Sequence, residues 1–365
     1  ASLELPLALR IKQLLLGRAT FGERTEYGKI PLLLAAGIDA GFASDGRTHR
    51  LERVQAQLGE LALSASATLA GEPPFALTAQ AILNSAALDQ PVLLNLLGSG
   101  SLEHLQIDGQ LASGAADTKP PESTQAQAAK PGKPAADTAA PAVATGELNA
   151  LLTPFATQAL ASLRLKMSNL DPSLFAAGAP QARLDVDARL DSRATSPGEE
   201  IASGHLHITN QRSGALDRNL LPLTSLYAQI NWQDERLAFD DFILELSGGG
   251  RLKGQGHFAG GRLELDLLAQ NVDAHALHSR LVPTRLAGPL RALFGGDSQN
   301  LELDWRDAQF ALNARASLNP EAIEVSQLQV TSGEARLAAQ GRLTLSGEGR
   351  FTAQGSVQNF DPARF

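Results

Sequence analysis

From Leu226 to Trp232 the chain reads LYAQINW, with apolar residues at every second position. Leu226, Ala228, Ile230 and Trp232 fall on one side; Tyr227, Gln229 and Asn231 fall on the other. Successive side chains of a strand point to opposite faces, so this pattern specifies a strand with one apolar and one polar face. The same alternation fills Ser203 to Leu277. Turn residues separate its pieces at Gly248-Gly249-Gly250 and Gly260-Gly261. It extends almost from end to end of the chain and predicts about twenty strands of this type.

The residues assigned to the apolar face follow from that phase. In the first part they are Leu61, Leu63, Leu77, Leu105 and Ile107. Leu163, Leu165, Leu184 and Val186 come next, then Leu206, Ile208, Leu226, Ile230 and Trp232. Leu244, Leu246, Leu263, Leu265 and Leu267 continue the face. Leu301, Leu303, Phe310, Leu312, Leu343 and Leu345 complete it. The phase slips between Leu51 and Val54, and again at Asp240-Asp241, and both places read as bulges. Residues 85–98 fit either a short helix or a buried strand, with Pro91 against the helix. Residues 274–295 have helix-like spacing, Ala274, Leu277 and Leu281 and then Leu290, Leu293 and Phe294. They predict two short helices broken at Pro283 and Gly288-Pro289.

Residues 113–145 differ in kind. They are rich in Ala, Pro, Lys, Thr and Ser and poor in large apolar residues. Such a segment buries too little surface to offset its ordering entropy and reads as a disordered insertion. The chain therefore divides into a first β-groove segment at 1–112, this loop, and a continuing β-groove at 146–365. Three times a strand ends on one device: Asn169-Leu170-Asp171-Pro172 (169–175), Asn271-Val272-Asp273-Ala274 (271–277) and Asn359-Phe360-Asp361-Pro362 (359–365). Asp is a favoured helix N-cap and Pro is favoured just after it, so each ending predicts one capped turn at the sheet edge. The recurrence implies a stacked, elongated structure. The strand-like start, and the stop directly after the third copy of the motif, read as a piece of a longer protein.

Charge and chemistry narrow the function. Thirty-one basic against 39 acidic residues, net charge −8, oppose nucleic-acid binding. The absence of Cys excludes thiol nucleophiles, disulfides and Cys-ligated zinc. His205 and His207 share a strand face but fall on its polar side, and His275 and His278 near Asp273 read as surface residues. Gly248 to Gly256 lacks the lysine context and following helix of a phosphate loop. No catalytic constellation is identified, and no cofactor or metal is expected.

What covers the apolar face is then the central question. Packing as a sandwich usually calls on aromatic residues, whereas here only 5% of residues are aromatic. An open, curved trough lined by Leu, Ala, Ile and Val suits acyl chains instead. An unrelated extracellular β-protein is disfavoured by the dominance of Leu and Ala.

Several passages resemble the TamB family, subunits of the translocation and assembly module related to the AsmA-like and bridge-like lipid transfer proteins. They are LELPLALRIKQLLLG, GSLEHLQIDGQL, GELNALLTPFATQALASLRLKMSNLDPSLFAAGAPQARLDVDARL, SGHLHITNQRSGALDRNLLPLTSLYAQINW, FILELSGGGRLKGQGHF and NVDAHALHSRLVPTRLAGPLRA, in that order. The resemblance implies a periplasmic β-taco that carries phospholipid between inner and outer membranes in outer-membrane biogenesis. It also implies an N-terminal inner-membrane anchor, absent from this sequence, and a TamA-like outer-membrane partner of the Omp85 family met through parts not present here. A second role it implies is chaperone-like support for the insertion of outer-membrane β-barrel proteins and autotransporters, a form of protein secretion.

Overall fold

The computed structural model describes residues 2–25, 28–58, 61–85, 91–113, 143–156, 159–174, 179–196, 199–233, 236–295, 298–345 and 350–359. It is a single, unclosed, antiparallel sheet of 21 strands. The first nine are β1 (Leu9–Thr25), β2 (Gly28–Ser44), β3 (Thr48–Leu58), β4 (Leu61–Ala70), β5 (Ala76–Ser85), β6 (Val92–Ser101), β7 (Leu105–Ser113), β8 (Thr145–Leu152) and β9 (Leu160–Leu170). Then come β10 (Leu184–Ser196), β11 (Glu199–Asn210), β12 (Leu223–Gln233), β13 (Arg236–Leu246), β14 (Arg251–Ala259) and β15 (Arg262–Val272). A single helical turn, α1 (Ala274–Leu277), precedes β16 (Leu286–Gly295), β17 (Gln299–Arg306), β18 (Phe310–Leu318), β19 (Ala322–Ser332), β20 (Ala335–Thr344) and β21 (Phe351–Gln358).

Each strand pairs with its neighbours in sequence, so the spatial order is the chain order. The turns consequently fall on two rims. One rim carries short hairpins, such as Gly260-Gly261. The other carries the long connections, at 171–183, 211–222 and 273–285, together with the ends of β7 and β8 that flank residues 114–142. Most of the expected disordered loop thus lies outside the described residues. At its base the Ser113 amide donates to the Ala144 carbonyl at 2.8 Å, and the Ala144 amide donates to Ser113 Oγ at 3.0 Å.

The bulges stand where the phase slips. β3 shifts register against β4 between Leu51 and Val54, and Arg53 takes φ 47°. β13 shifts between Phe239 and Phe242, with Asp241 at φ 46°. An extra residue pushed out of the ladder keeps the apolar residues on either side of it on one face. Of residues 85–98, left open between helix and strand, Ser85 ends β5 and 92–98 belong to strand β6; residues 86–90 lie outside the described residues.

The second helix expected within 274–295 is wrong: residues 286–295 form strand β16. Leu290 and Phe294 face Leu267 and Leu263 across the ladder, so their spacing of four is an even strand spacing, which a helix shares. Pro289 pairs with Leu268 on one side, while the ladder to β17 passes from Ala287 to Leu290 without it. A residue lacking N–H is tolerated at that gap.

The recurring Asn-x-Asp device is a rim corner. Asn169, Asn271 and Asn359 all have positive φ, 56°, 52° and 47°, the left-handed region that Asn tolerates better than most residues. They end β9, β15 and β21, so successive copies are six strands apart on the same rim. Asp171 Oδ1 accepts the amides of Ser173 and Ala182, and Asp273 Oδ1 accepts the equivalent amides of His275 and Thr284. The next residues repeat as well: the Arg183 amide donates to Asn210 Oδ1, and the Arg285 amide to Asp307 Oδ2. Of the third copy only Asn359 is among the described residues.

Candidate functional site

The two sheet faces differ sharply. The polar face carries cross-strand ion pairs, among them Arg164–Asp191 (2.7 Å), Arg291–Asp266 (2.9 Å) and Arg315–Glu302 (2.7 Å). The other face carries an unbroken apolar row. From β1 to β9 it reads Ile11, Phe42, Leu51, Ala67, Ala79, Gly98, Ile107, Ala150, Leu163. From β10 to β15 it reads Leu190, Gly204, Ile230, Phe239, Gly256, Leu265. From β16 to β21 it reads Ala292, Leu301, Ala316, Val325, Gly341, Ala353. Every strand contributes one residue, and none is polar.

Register places the sequence-assigned residues on this face. Leu165, Leu206 and Ala228 lie on one row through Ala188. Val186, Ile208, Leu226 and Leu244 lie on another. Leu267 and Leu303 meet through Leu290, and Leu61, Leu63, Leu77 and Leu105 occupy the same face near the start. Leu184, Leu246, Leu263, Phe310, Leu312 and Leu343 keep the strand phase of these rows. Leu345 lies past the end of β20 and is exposed, because the strand stops at Thr344.

What the alternation did not reveal is how far the face covers itself. Leu190 and Ile230 belong to one buried cluster, and Phe242, Leu252, Leu267 and Trp305 to a second. In a single-layer sheet such burial requires curling, so that neighbouring side chains close over one another. Strands β9 and β11 come within 8 Å (Cα–Cα) across β10, whereas two flat strand spacings would hold them about 9.5 Å apart. Gly204 makes the approach feasible: a Cβ there would lie 1.7 Å from the Arg189 carbonyl oxygen. Gly109, wedged between Leu96 and Leu148, relieves crowding on the same concave face. The curvature itself agrees with the curved trough expected from the sequence, and glycines at inward positions permit it. Towards the flanks the face opens, and Leu9, Leu51, Leu301 and Phe351 are exposed.

The long-loop rim is capped. The Ser279 amide donates to Asp217 Oδ1 at 2.8 Å and its hydroxyl donates to Asp217 Oδ2 at 2.5 Å, joining the 211–222 and 273–285 connections. These bonds hold the Asp217 carboxyl down at about 2, below its ordinary 3.8. Gln181 forms a bridge with Leu220, and Leu277 of α1 packs onto the apolar cluster. Beside the cap lies an open cavity of about 690 Å³ lined by Arg218, Thr224, Glu245, Arg251, His275 and Ser279 among others. Its lining is mixed and polar, unlike the apolar face.

The four histidines singled out in the sequence sit away from the apolar row, whereas His49 stacks on Phe42 of that row. His205 stacks on Tyr227 on the polar face, His207 meets the same ring edge-on, and His205 Nε2 is 3.9 Å from Asp187. His275 Nδ1 contacts the Leu281 carbonyl at 2.8 Å, while His278 turns to Asp217. Among the described residues no three His, Asp or Glu side chains converge as a metal site. No helix there is long and apolar enough to cross a membrane. Comparison with known proteins finds no matching family model, no matching curated protein and no matching solved structure.

Proposed function

We propose that this sheet is a hydrophobic conduit for phospholipid acyl chains, working in a periplasm between inner and outer membranes. The apolar row that crosses all 21 strands carries the reading. A path without a polar step lets a chain move along it without exchanging contact for water. Each buried methylene contributes roughly 0.8 kcal/mol, so a chain of membrane length is held firmly while every small displacement costs little. At a strand spacing of about 4.8 Å the sheet extends on the order of 100 Å, a length suited to bridging two membranes. The resemblance to the TamB family supports the same reading. It adds, as part of the proposal, an inner-membrane anchor and a TamA-like partner of the Omp85 family, both through regions outside this sequence.

A photo-crosslinking residue at Ile230, on the row, is expected to capture phospholipid; one at Gln229, on the polar face, is not. Equal capture at both positions overturns the reading. The unpaired outer edges of β1 and β21 among the described residues favour a second one, a scaffold that accepts strands of outer-membrane proteins by edge pairing. Under it, crosslinkers at Leu15 or Phe351 trap unfolded barrel peptides and Ile230 traps no lipid.

A further inference from the structure

The apolar face is asymmetric across its width. Along β14, Leu252 near the capped rim is 6% exposed, and Phe258 near the hairpin rim is 39% exposed. Along β16, Leu286 and Phe294 repeat the gradient at 5% and 40%. At the open end a single row crosses five strands: Trp232, Leu237, Phe258, Leu263, Phe294. Aromatic residues thus stand on alternate strands along one lip. At the other end the connections 211–222 and 273–285 are tied by Asp217 and Ser279, Leu277 packs onto the apolar cluster, and Val272 and Leu286 are buried.

We propose that phospholipid lies across the β12–β16 region with its methyl ends toward the capped rim and its glycerol and headgroup at the Trp232–Phe258–Phe294 lip. This rests on the conduit reading above and adds an orientation to it. Three physical facts carry it. A headgroup keeps its hydration only at the rim that water reaches, and burying it under the cap would strand charges in an apolar site. Aromatic rings favour boundaries where one side is apolar and the other wet. The distance from Leu252 to Phe258, six residues of strand, is about 20 Å, room for an extended acyl chain. One observation points the other way: Trp305, near the capped rim on β17, is buried with its indole Nε1 lacking a hydrogen-bond partner. A lipid ester oxygen could satisfy it, so the test must compare the two tryptophans, the only ones in the chain.

The purified chain is loaded with phosphatidylcholine brominated either next to the carboxyl or next to the terminal methyl of its chains. Tryptophan emission is then read in Trp305→Phe, which reports Trp232, and in Trp232→Phe, which reports Trp305. The expected result is loss of most Trp232 emission with the carboxyl-proximal probe and little with the methyl-terminal one, and the reverse for Trp305. The opposite pattern, with Trp305 quenched by the carboxyl-proximal probe, overturns the orientation and makes Trp305 the polar anchor. Equal quenching of both residues by both probes overturns the orientation while leaving the conduit standing. No quenching of either residue removes the conduit reading itself. In the chain with both tryptophans intact, a crosslinker at Phe258 is expected to capture a headgroup-labelled lipid and one at Leu252 a tail-labelled lipid, which keeps the test decisive should a Trp variant fold poorly.

Discussion

Asp217, between β11 and β12, accepts two hydrogen bonds from Ser279, between β15 and β16, and so draws a chord across four strands of the curved sheet. The carboxyl's acidity in the folded state is held at about 2 against an ordinary 3.8, first by the Ser279 hydroxyl and then by its amide, with His278 a smaller contributor. A depressed carboxylate contributes stability in full above the unfolded value and loses it as pH falls through the folded one. The melting temperature of Asp217→Ala is therefore expected to lie below that of the parent at neutral pH. The gap should shrink as pH drops from 3.8 toward about 2. A gap of constant size across that window would show that the chord acts through something other than the ionised carboxyl.

Gly204 faces Leu190 and Ile230 on the apolar row, with no room for a Cβ beside the Arg189 carbonyl. Gly204→Ala is expected to cost on the order of 1–3 kcal/mol, through backbone displacement in a tightly curved region. Gly17, where an added Cβ would meet nothing within 4 Å, serves as the comparison and should lose far less on the same change. Denaturant titration of both variants checks the difference.

Leu301 is on the row but exposed, so a charge there can be tolerated by the fold. Leu301→Glu is expected to change stability by about 1 kcal/mol or less. It should nevertheless interrupt lipid capture between crosslinkers placed on opposite sides of it. Asn300→Glu, one residue away on the polar face, should leave capture unchanged. Matching losses in the two variants would show that the row is not the path.

Residues 113 and 144 already meet through two hydrogen bonds at the end of the β7–β8 pair. Replacing 114–143 with an Asn-Gly turn is expected to raise stability by about 2 kcal/mol, since loop-closure entropy falls by about 0.6 kcal/mol with each halving of loop length. Circular dichroism and thermal melting would report it. A large loss would assign the segment a packing role.

Much of the fold was legible because a strand's alternation is local: the face of Leu226, Ile230 and Trp232 needs no knowledge of any other strand. The bulge at Asp241 was legible for the same reason, as a slip in phase between Phe239 and Phe242. The helix expected near Leu290 failed because a spacing of four residues is even, and so is compatible with one strand face as well as one helix face. The pairing of Leu190 with Gly204 and Ile230 was out of reach, since it depends on register between strands. So was the burial of Leu252 beside the exposure of Phe258, which depends on which rim is capped and how tightly the sheet curls.

Because each strand pairs only with the strands before and after it in the chain, assembly can proceed as a zipper. A hairpin emerging from a ribosome or a translocation pore finds its partner already in place, and no distant segment has to be awaited. Low sequence separation of contacts is the condition for rapid folding. The same connectivity makes length an adjustable property. Removing one hairpin would shorten the sheet by about 9.5 Å and rejoin two strands of the same polarity to the same neighbours. A sheet built this way can change its reach by gaining or losing hairpins, with every remaining strand keeping its partners.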